Sequence, residues 1–180
     1  FVRAQENWIR AALARMPSVA VVGIGAQIPL EGLPVRLLSG DGRSVRVQND
    51  TLIVPGDPAR AAARVAAYLK VRARDRLAAA SDHYARQIGR SVTRITLRDT
   101  RSRWGSCAAD GALMYSWRLI MAPPSVLNYV AAHEVAHMLE MNHSDRFWAV
   151  VERLYPIWQP ERAWLRQSGG VLQSLRFEGD

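Results

Sequence analysis

The chain is short of lysine, of cysteine and of long apolar runs, and each shortage excludes something. Cys107 is the only cysteine in 180 residues. An internal disulfide is therefore impossible, and a reducing cytoplasm is the expected compartment. The longest uncharged stretch, Met16 to Leu30, contains Pro17, Gly23, Gly25 and Pro29. It falls short of the ~20 apolar residues that a membrane helix needs, so no transmembrane span and no membrane partner is expected. No basic region, apolar core and cleavage site follow one another at the start, so no secretory signal is read. Phe1 is not an initiator methionine, which reads as a fragment or a processed chain and leaves an upstream segment open.

Lys70 is the only lysine among the 24 basic residues, and the net charge is +8. So strong a preference for arginine, beside many alanines, is the mark of a GC-rich genome as much as of chemistry. Twelve of the basic residues lie between Arg60 and Arg103, against Asp75, Asp82 and Asp99. A strip of this kind suits phosphate backbones and other anions. A solvated helix face is the plainer reading and the one preferred from sequence.

The pattern along the chain indicates an α+β protein. Val2 to Arg15 places Trp8, Ile9, Ala12 and Leu13 at helical spacing, and Met16-Pro17 ends it. From Val19 to Val54 short alternating runs are broken by turn residues. Pro34 to Ser39 and Arg43 to Gln48 flank Gly40-Asp41-Gly42, a hairpin signature, with a further strand at Leu52 to Val54. Asp57-Pro58 starts a long backing helix that ends at Gly89. Val92 to Leu97 reads as a strand, and Arg103 to Cys107 and Ala112 to Leu119 as two more joined through Ala109-Asp110-Gly111. Pro123-Pro124-Ser125 opens a helix that should end near Asn142, followed by one from Ser144 to Leu154 and a short one from Pro160 to Gln167. The organisation expected is an N-terminal helix and small antiparallel β region over 1–56. A compact domain follows over 57–180, in which the backing helix and the helix opened by Pro123-Pro124-Ser125 pack on a small antiparallel sheet.

Chemistry concentrates in one run, His133-Glu134-Val135-Ala136-His137 followed by His143. In H-E-x-x-H on a helix, positions i and i+4 share a face, so both imidazoles reach one metal ion. A catalytic zinc takes three protein ligands and one exchangeable water. Asn142, in a left-handed conformation, would turn the chain so that His143 supplies the third. The expected cofactor is thus one Zn2+ per chain. Zinc lowers the pKa of its water to about 7, and Glu134 takes the proton as the hydroxide attacks a carbonyl.

Other assignments compete. Glu152 and Glu140 are alternative third ligands or partners of a ligand imidazole. A structural zinc would recruit Glu140, Glu152 or Cys107 as a fourth ligand and leave Glu134 unexplained. His83 is read as a surface or packing residue, and Cys107 as a small buried one. Tyr115, Arg118 and Tyr129 are the candidates by type for stabilising an oxyanion.

With these residues in hand, the chain resembles the YgjP-like metallopeptidase family, a zincin group related to the WLM and SprT-like proteases. The resemblance rests on Arg101-Ser102-Arg103-Trp104-Gly105-Ser106-Cys107 and on Trp117-Arg118-Leu119-Ile120. It rests also on Tyr129-Val130 ahead of His133, and on Asn142-His143-Ser144 with Phe147-Trp148. It spans about Ala59 to Leu165. It implies zinc on His133, His137 and His143, Glu134 as base, and a strand pair before the active-site helix as the rim where a peptide adds a strand. Trp104, Gly105, Ser116, Trp117 and Arg118 would then contact substrate, although the two tryptophans suit a core equally. Two departures are evident. Ser116 stands where the family has asparagine, and the extra β-strands that open family members are missing before Phe1.

The expected function is zinc-dependent hydrolysis of peptide bonds in peptides or proteins. A metal-dependent nucleotide phosphohydrolase is the alternative, weakened by the lack of a Walker-type loop and of a carboxylate cluster for magnesium. A nucleic-acid-associated module is the third reading, with no zinc ribbon, helix-turn-helix signature or basic tail to support it.

Overall fold

The computed structural model describes residues 20–177, and the helix expected from Val2 to Arg15 lies outside them. Within the described residues nine strands and four α-helices follow one another. They are β1 (Ala20–Val21), β2 (Gln27–Leu30), β3 (Leu33–Gly40), β4 (Arg46–Gln48), β5 (Thr51–Pro55), α1 (Ala61–Gln87), β6 (Arg94–Arg98), β7 (Gly105–Cys107) and β8 (Ala112–Ser116). Then come α2 (Pro124–Ala136), α3 (Asp145–Leu154), α4 (Gln159–Ser174) and β9 (Leu175–Arg176). The class is α+β, as expected. No helix among the described residues is long and apolar enough to cross a membrane.

The backing helix is built as its sequence demands. The Asp57 carboxylate accepts from the Ala59 N–H at 2.9 Å, and Pro58–Arg60 forms a 3₁₀ turn that runs into α1. Val65, Leu69, Ala73, Leu77, Ser81 and Tyr84 recur every three or four residues and are buried. At the far end the Arg90 N–H reaches the Ala85 carbonyl and the Gly89 N–H the Arg86 carbonyl, a Schellman closure about Gly89.

The expected hairpin across Gly40-Asp41-Gly42 does not form. The sheet order is β2-β3-β5-β4, with β3 parallel to β5 and β4 antiparallel to β5. Burial supplies the reason. β5 carries Leu52 and Val54 into the core, whereas β4 is exposed throughout. The apolar strand takes the inner position and the polar one the edge. The tight turns are instead Glu31-Gly32, with φ of 49° and 79°, and Asn49-Asp50. The second sheet, ordered β6-β8-β7, contains the expected β7–β8 hairpin, but β6 runs parallel to β8. Both of these sheets are therefore mixed rather than antiparallel, and β1 and β9 form a separate parallel pair.

The strand expected to run on to Leu119 stops at Ser116, and Trp117–Met121 is a 3₁₀ turn whose five residues are all buried. A continuous buried run has no alternation, and periodicity alone cannot separate strand from helix there. This turn receives the Glu31-Gly32 tip: the Glu31 N–H donates to the Ile120 carbonyl at 2.8 Å and the Gly32 N–H to Met121 at 3.2 Å. The Glu31 carboxylate meanwhile accepts from Arg72 at 2.7 Å and Arg76 at 2.6 Å. The N-terminal sheet is thus fastened to α1 and to the segment leading into α2. One buried cluster joins Ile28, Leu37 and Leu52 to Leu69, Leu119, Val126 and Phe147.

The C-terminal helix is longer than expected, at 16 residues, and runs through Gly169-Gly170. Gly169 is buried where a Cβ would lie 2.7 Å from the Trp104 ring. Close packing on that indole, rather than helix termination, accounts for this glycine.

Candidate metal centre

Helix α2 is apolar almost all round, with Val126, Leu127, Val130, Ala131, Ala132, Val135 and Ala136 buried. Such a helix belongs inside a core, and it delivers its last turn to a cleft of about 430 Å³. His133, Glu134 and His137 line that cleft from α2, with His143, Trp104 and Gly105 around them.

The helix ends earlier than expected. After Ala136 the chain tightens, with Met138 N–H donating to Val135 and Leu139 N–H to Ala136. Asn142 is not left-handed: among the described non-glycine residues only Glu31 and Asn49 have positive φ. The chain turns instead by releasing the helix at His137. That frees the Glu140 carbonyl to sit 3.0 Å from His137 Nδ1. Ser144 then starts α3, its hydroxyl accepting from the Phe147 N–H at 3.4 Å. His143, one residue earlier, is thereby held against the end of α2.

The ligand atoms of His133, His137 and His143 all lie within 4.8 Å of one another. The Nε2 atoms of His133 and His143 are 3.1 Å apart. Phe147 is fully buried and touches all three rings: stacked on His137 at 4.4 Å, and edge-on to His133 at 4.9 Å and His143 at 4.8 Å. Three imidazoles with convergent nitrogens are a donor set that suits zinc. Burial, and then the neighbouring His137 and His143, push His133 down to about 3. Burial likewise lowers His137, against the pull of its bond to the Glu140 carbonyl. That carbonyl accepts from Nδ1–H, which leaves the Nε2 lone pair for a metal.

Glu134 is 6% exposed. Burial pushes its carboxyl up to about 8, opposed by the Arg103 charge. Gly105 of β7 lies over it, where a Cβ would stand 2.6 Å from Glu134 Oε1. β7 is an edge strand, and its Gly105, Ser106 and Cys107 form one wall of the cleft.

The other residues singled out in the sequence divide sharply. Trp104 and Gly105 line the cleft. Ser116, Trp117 and Arg118 are buried and lie outside its lining. Arg118 holds both oxygens of Asp99, at 2.6 and 2.9 Å, and donates to the carbonyls of Leu172 and Leu175. Tyr115 is buried with its hydroxyl 2.9 Å from Ser81 Oγ. Tyr129 does line the cleft, its hydroxyl 3.5 Å from His133 Nδ1. Glu152 accepts from the Trp158 indole at 2.8 Å, and Glu140 serves His137 through its backbone. Neither carboxylate joins the metal-ligating group found among the described residues. Cys107 lines the cleft with its thiol pushed up to about 11 by burial and then by Glu134. His83 bonds Gln87 on the exposed side of α1. The residue whose role sequence reading missed is Phe147, which stood there only as part of the resemblance. Its signal was a bulky apolar side chain three residues after a capping serine, which fixes it beneath the preceding histidine.

A sequence model of the family described as YgjP-like, metallopeptidase domain, matches residues 1–168. No curated protein and no solved structure matches the chain.

Proposed function

The chain belongs to the YgjP-like metallopeptidase family, and from that premise we propose a zinc-dependent peptidase with one metal per chain, held by His133, His137 and His143. The observation that carries this reading is the convergence of three imidazole ligand atoms within 4.8 Å beside a carboxylate that is almost wholly buried in the same cleft. A zinc ion there would act as a Lewis acid on the scissile carbonyl and make water a nucleophile near neutral pH.

The chain's own groups supply the rest. Glu134 is the general base that takes the proton of the attacking water and returns it to the leaving amine. Burial holds its carboxyl high, and the charge of a bound metal ion would offset that and keep it ionised for this role. Edge strand β7 offers unpaired backbone groups to an extended substrate, which adds as a further strand along the wall formed by Gly105, Ser106 and Cys107. Trp104, Val130 and Leu165 give the cleft apolar surface for substrate side chains. Tyr129 is placed to steady His133 from its Nδ1 side.

Metal analysis of the native protein and of Glu134→Gln, with both assayed on casein and on UTP, tests this reading. The expected result is about one zinc per chain in both proteins, with casein cleaved only by the first. Hydrolysis of UTP alone would replace peptidase with phosphohydrolase. Loss of zinc from Glu134→Gln would make that side chain structural and end its role as base.

A further inference from the structure

The sheet that walls the metal cleft has a second edge, β6, and the molecule is strongly cationic there. A cleft of about 380 Å³ lies between α1 and β6, lined by Lys70, Arg74, Arg98 and Trp117 among others. A second, of about 300 Å³, is lined by Arg101, Arg118 and Arg176. Asp99 lines both, so the two clefts adjoin. Among the described residues six cations thus face one carboxylate, and Asp99 is itself held by both of its oxygens on Arg118. Lys70, Arg74, Arg98, Arg101 and Arg176 are exposed.

The arginines of α1 are sorted by the fold. Arg72 and Arg76 are bound to Glu31 on one face, while Lys70 and Arg74 turn toward β6. A merely solvated helix would not gather Arg176, from the far end of the chain, beside Arg98 and Arg101. The cations also extend over two clefts rather than converging on one point, which suits a chain of phosphates better than a single anion. Trp117 and Phe177 under them are buried, so no stacking platform or base-reading set is offered. Apolar anchors of the kind that protein interfaces use are scarce: Val71 is the one exposed large apolar side chain in either lining.

We propose that this β6-side face binds the phosphate backbone of nucleic acid, with little sequence preference. Guanidinium forks match phosphate oxygens, and each contact releases counterions. The bound strand would lie along β6, with β8 separating it from the metal cleft on β7. The polyanion therefore tethers the protein and leaves its hydrolytic site open.

Fluorescence anisotropy of the zinc-loaded protein with a labelled 20-nucleotide single strand tests this, with polyglutamate as competitor. Binding should weaken at least tenfold between 50 and 200 mM salt. It should weaken at least tenfold again in Arg98→Glu/Arg176→Glu, which takes one cation from each cleft. The pair Lys70→Glu/Arg101→Glu repeats the test should the first fail to fold, as judged by thermal melting. Arg43→Glu/Arg153→Glu carries the same charge change on exposed residues outside both clefts and should bind within about threefold of native. Equal losses in the cleft and control variants would reduce the effect to net charge and overturn the proposal. Polyglutamate that displaces the strand at equal charge concentration would overturn it in favour of an acidic protein. Metal content and casein cleavage should be unchanged throughout, so this result is independent of the peptidase reading.

Discussion

Gly105 and Glu134 occupy one space: a Cβ on the glycine would fall 2.6 Å from both the Cγ and the Oε1 of the glutamate. The edge strand therefore approaches the active-site helix more closely than any side chain permits. Glu134 is buried because a backbone, not a side chain, covers it.

Gly105→Ala should push the carboxylate from its place. A shift of about 1 Å costs on the order of 100-fold in rate for a positioned catalytic group. Casein hydrolysis should fall by about that factor while zinc content stays near one per chain. Unchanged activity would show that Glu134 tolerates displacement and that its position is not what counts.

Metal removal should loosen the fold. His133 and His137 end α2 and His143 precedes α3, so an ion between them ties two helices together. Saturation at 100 times Kd contributes about 2.7 kcal/mol, and about 2–4 °C of Tm accompanies each kcal/mol in a chain of this size. Chelation should thus lower Tm by roughly 5–10 °C. His143→Ala should melt like the chelated protein and show no response to added zinc.

Glu31 should make stability depend on acid. Burial raises its carboxyl, but the hydrogen bonds and charges of Arg72 and Arg76 outweigh that and hold it below the usual value of 4.5. A carboxylate lowered in the folded state binds fewer protons there than in the unfolded chain. Its contribution is therefore complete above pH 4.5 and disappears as pH falls through the lower folded value. Glu31→Gln should cost about 1–2 kcal/mol at pH 7 and flatten the decline in urea midpoint between pH 5 and 3 relative to native.

Arg118→Lys should destabilise the protein by about 3 kcal/mol without touching the metal cleft. A lysine cannot hold both Asp99 oxygens and the carbonyls of Leu172 and Leu175 at once, and buried acceptors would be left without donors. Urea unfolding should show the loss, while KM for a peptide substrate stays at its native value. A raised KM with native stability would instead place Arg118 in substrate binding.

The sequence alone was enough for what is local. H-E-x-x-H with a third histidine six residues on singled out the three imidazoles that the fold brings together, because i and i+4 on a helix share a face, whatever surrounds it. Asp57-Pro58 and Gly89 bounded α1, Ser144 capped α3, and the turn before Ala112 joined β7 to β8, each through bonds that span a few residues.

What the sequence could not decide depended on partners distant in the chain. The Gly40-Asp41-Gly42 bend resembled a hairpin, yet β5 enters between its flanks because Leu52 and Val54 must be buried and the Arg46–Gln48 strand need not be. Trp117 and Arg118 belonged to a motif that suggested substrate contact, yet Asp99 and the end of α4 claim the arginine and the core claims the indole. The twelve basic residues between Arg60 and Arg103 formed one strip on paper. Tertiary structure took Arg72 and Arg76 to Glu31, placed Lys70, Arg74, Arg98 and Arg101 on the β6 face, left the other six elsewhere, and brought Arg176 to the second group. Spacing along a helix is intrinsic to the backbone, whereas which face is buried, and against what, is settled only when the whole chain competes for one core.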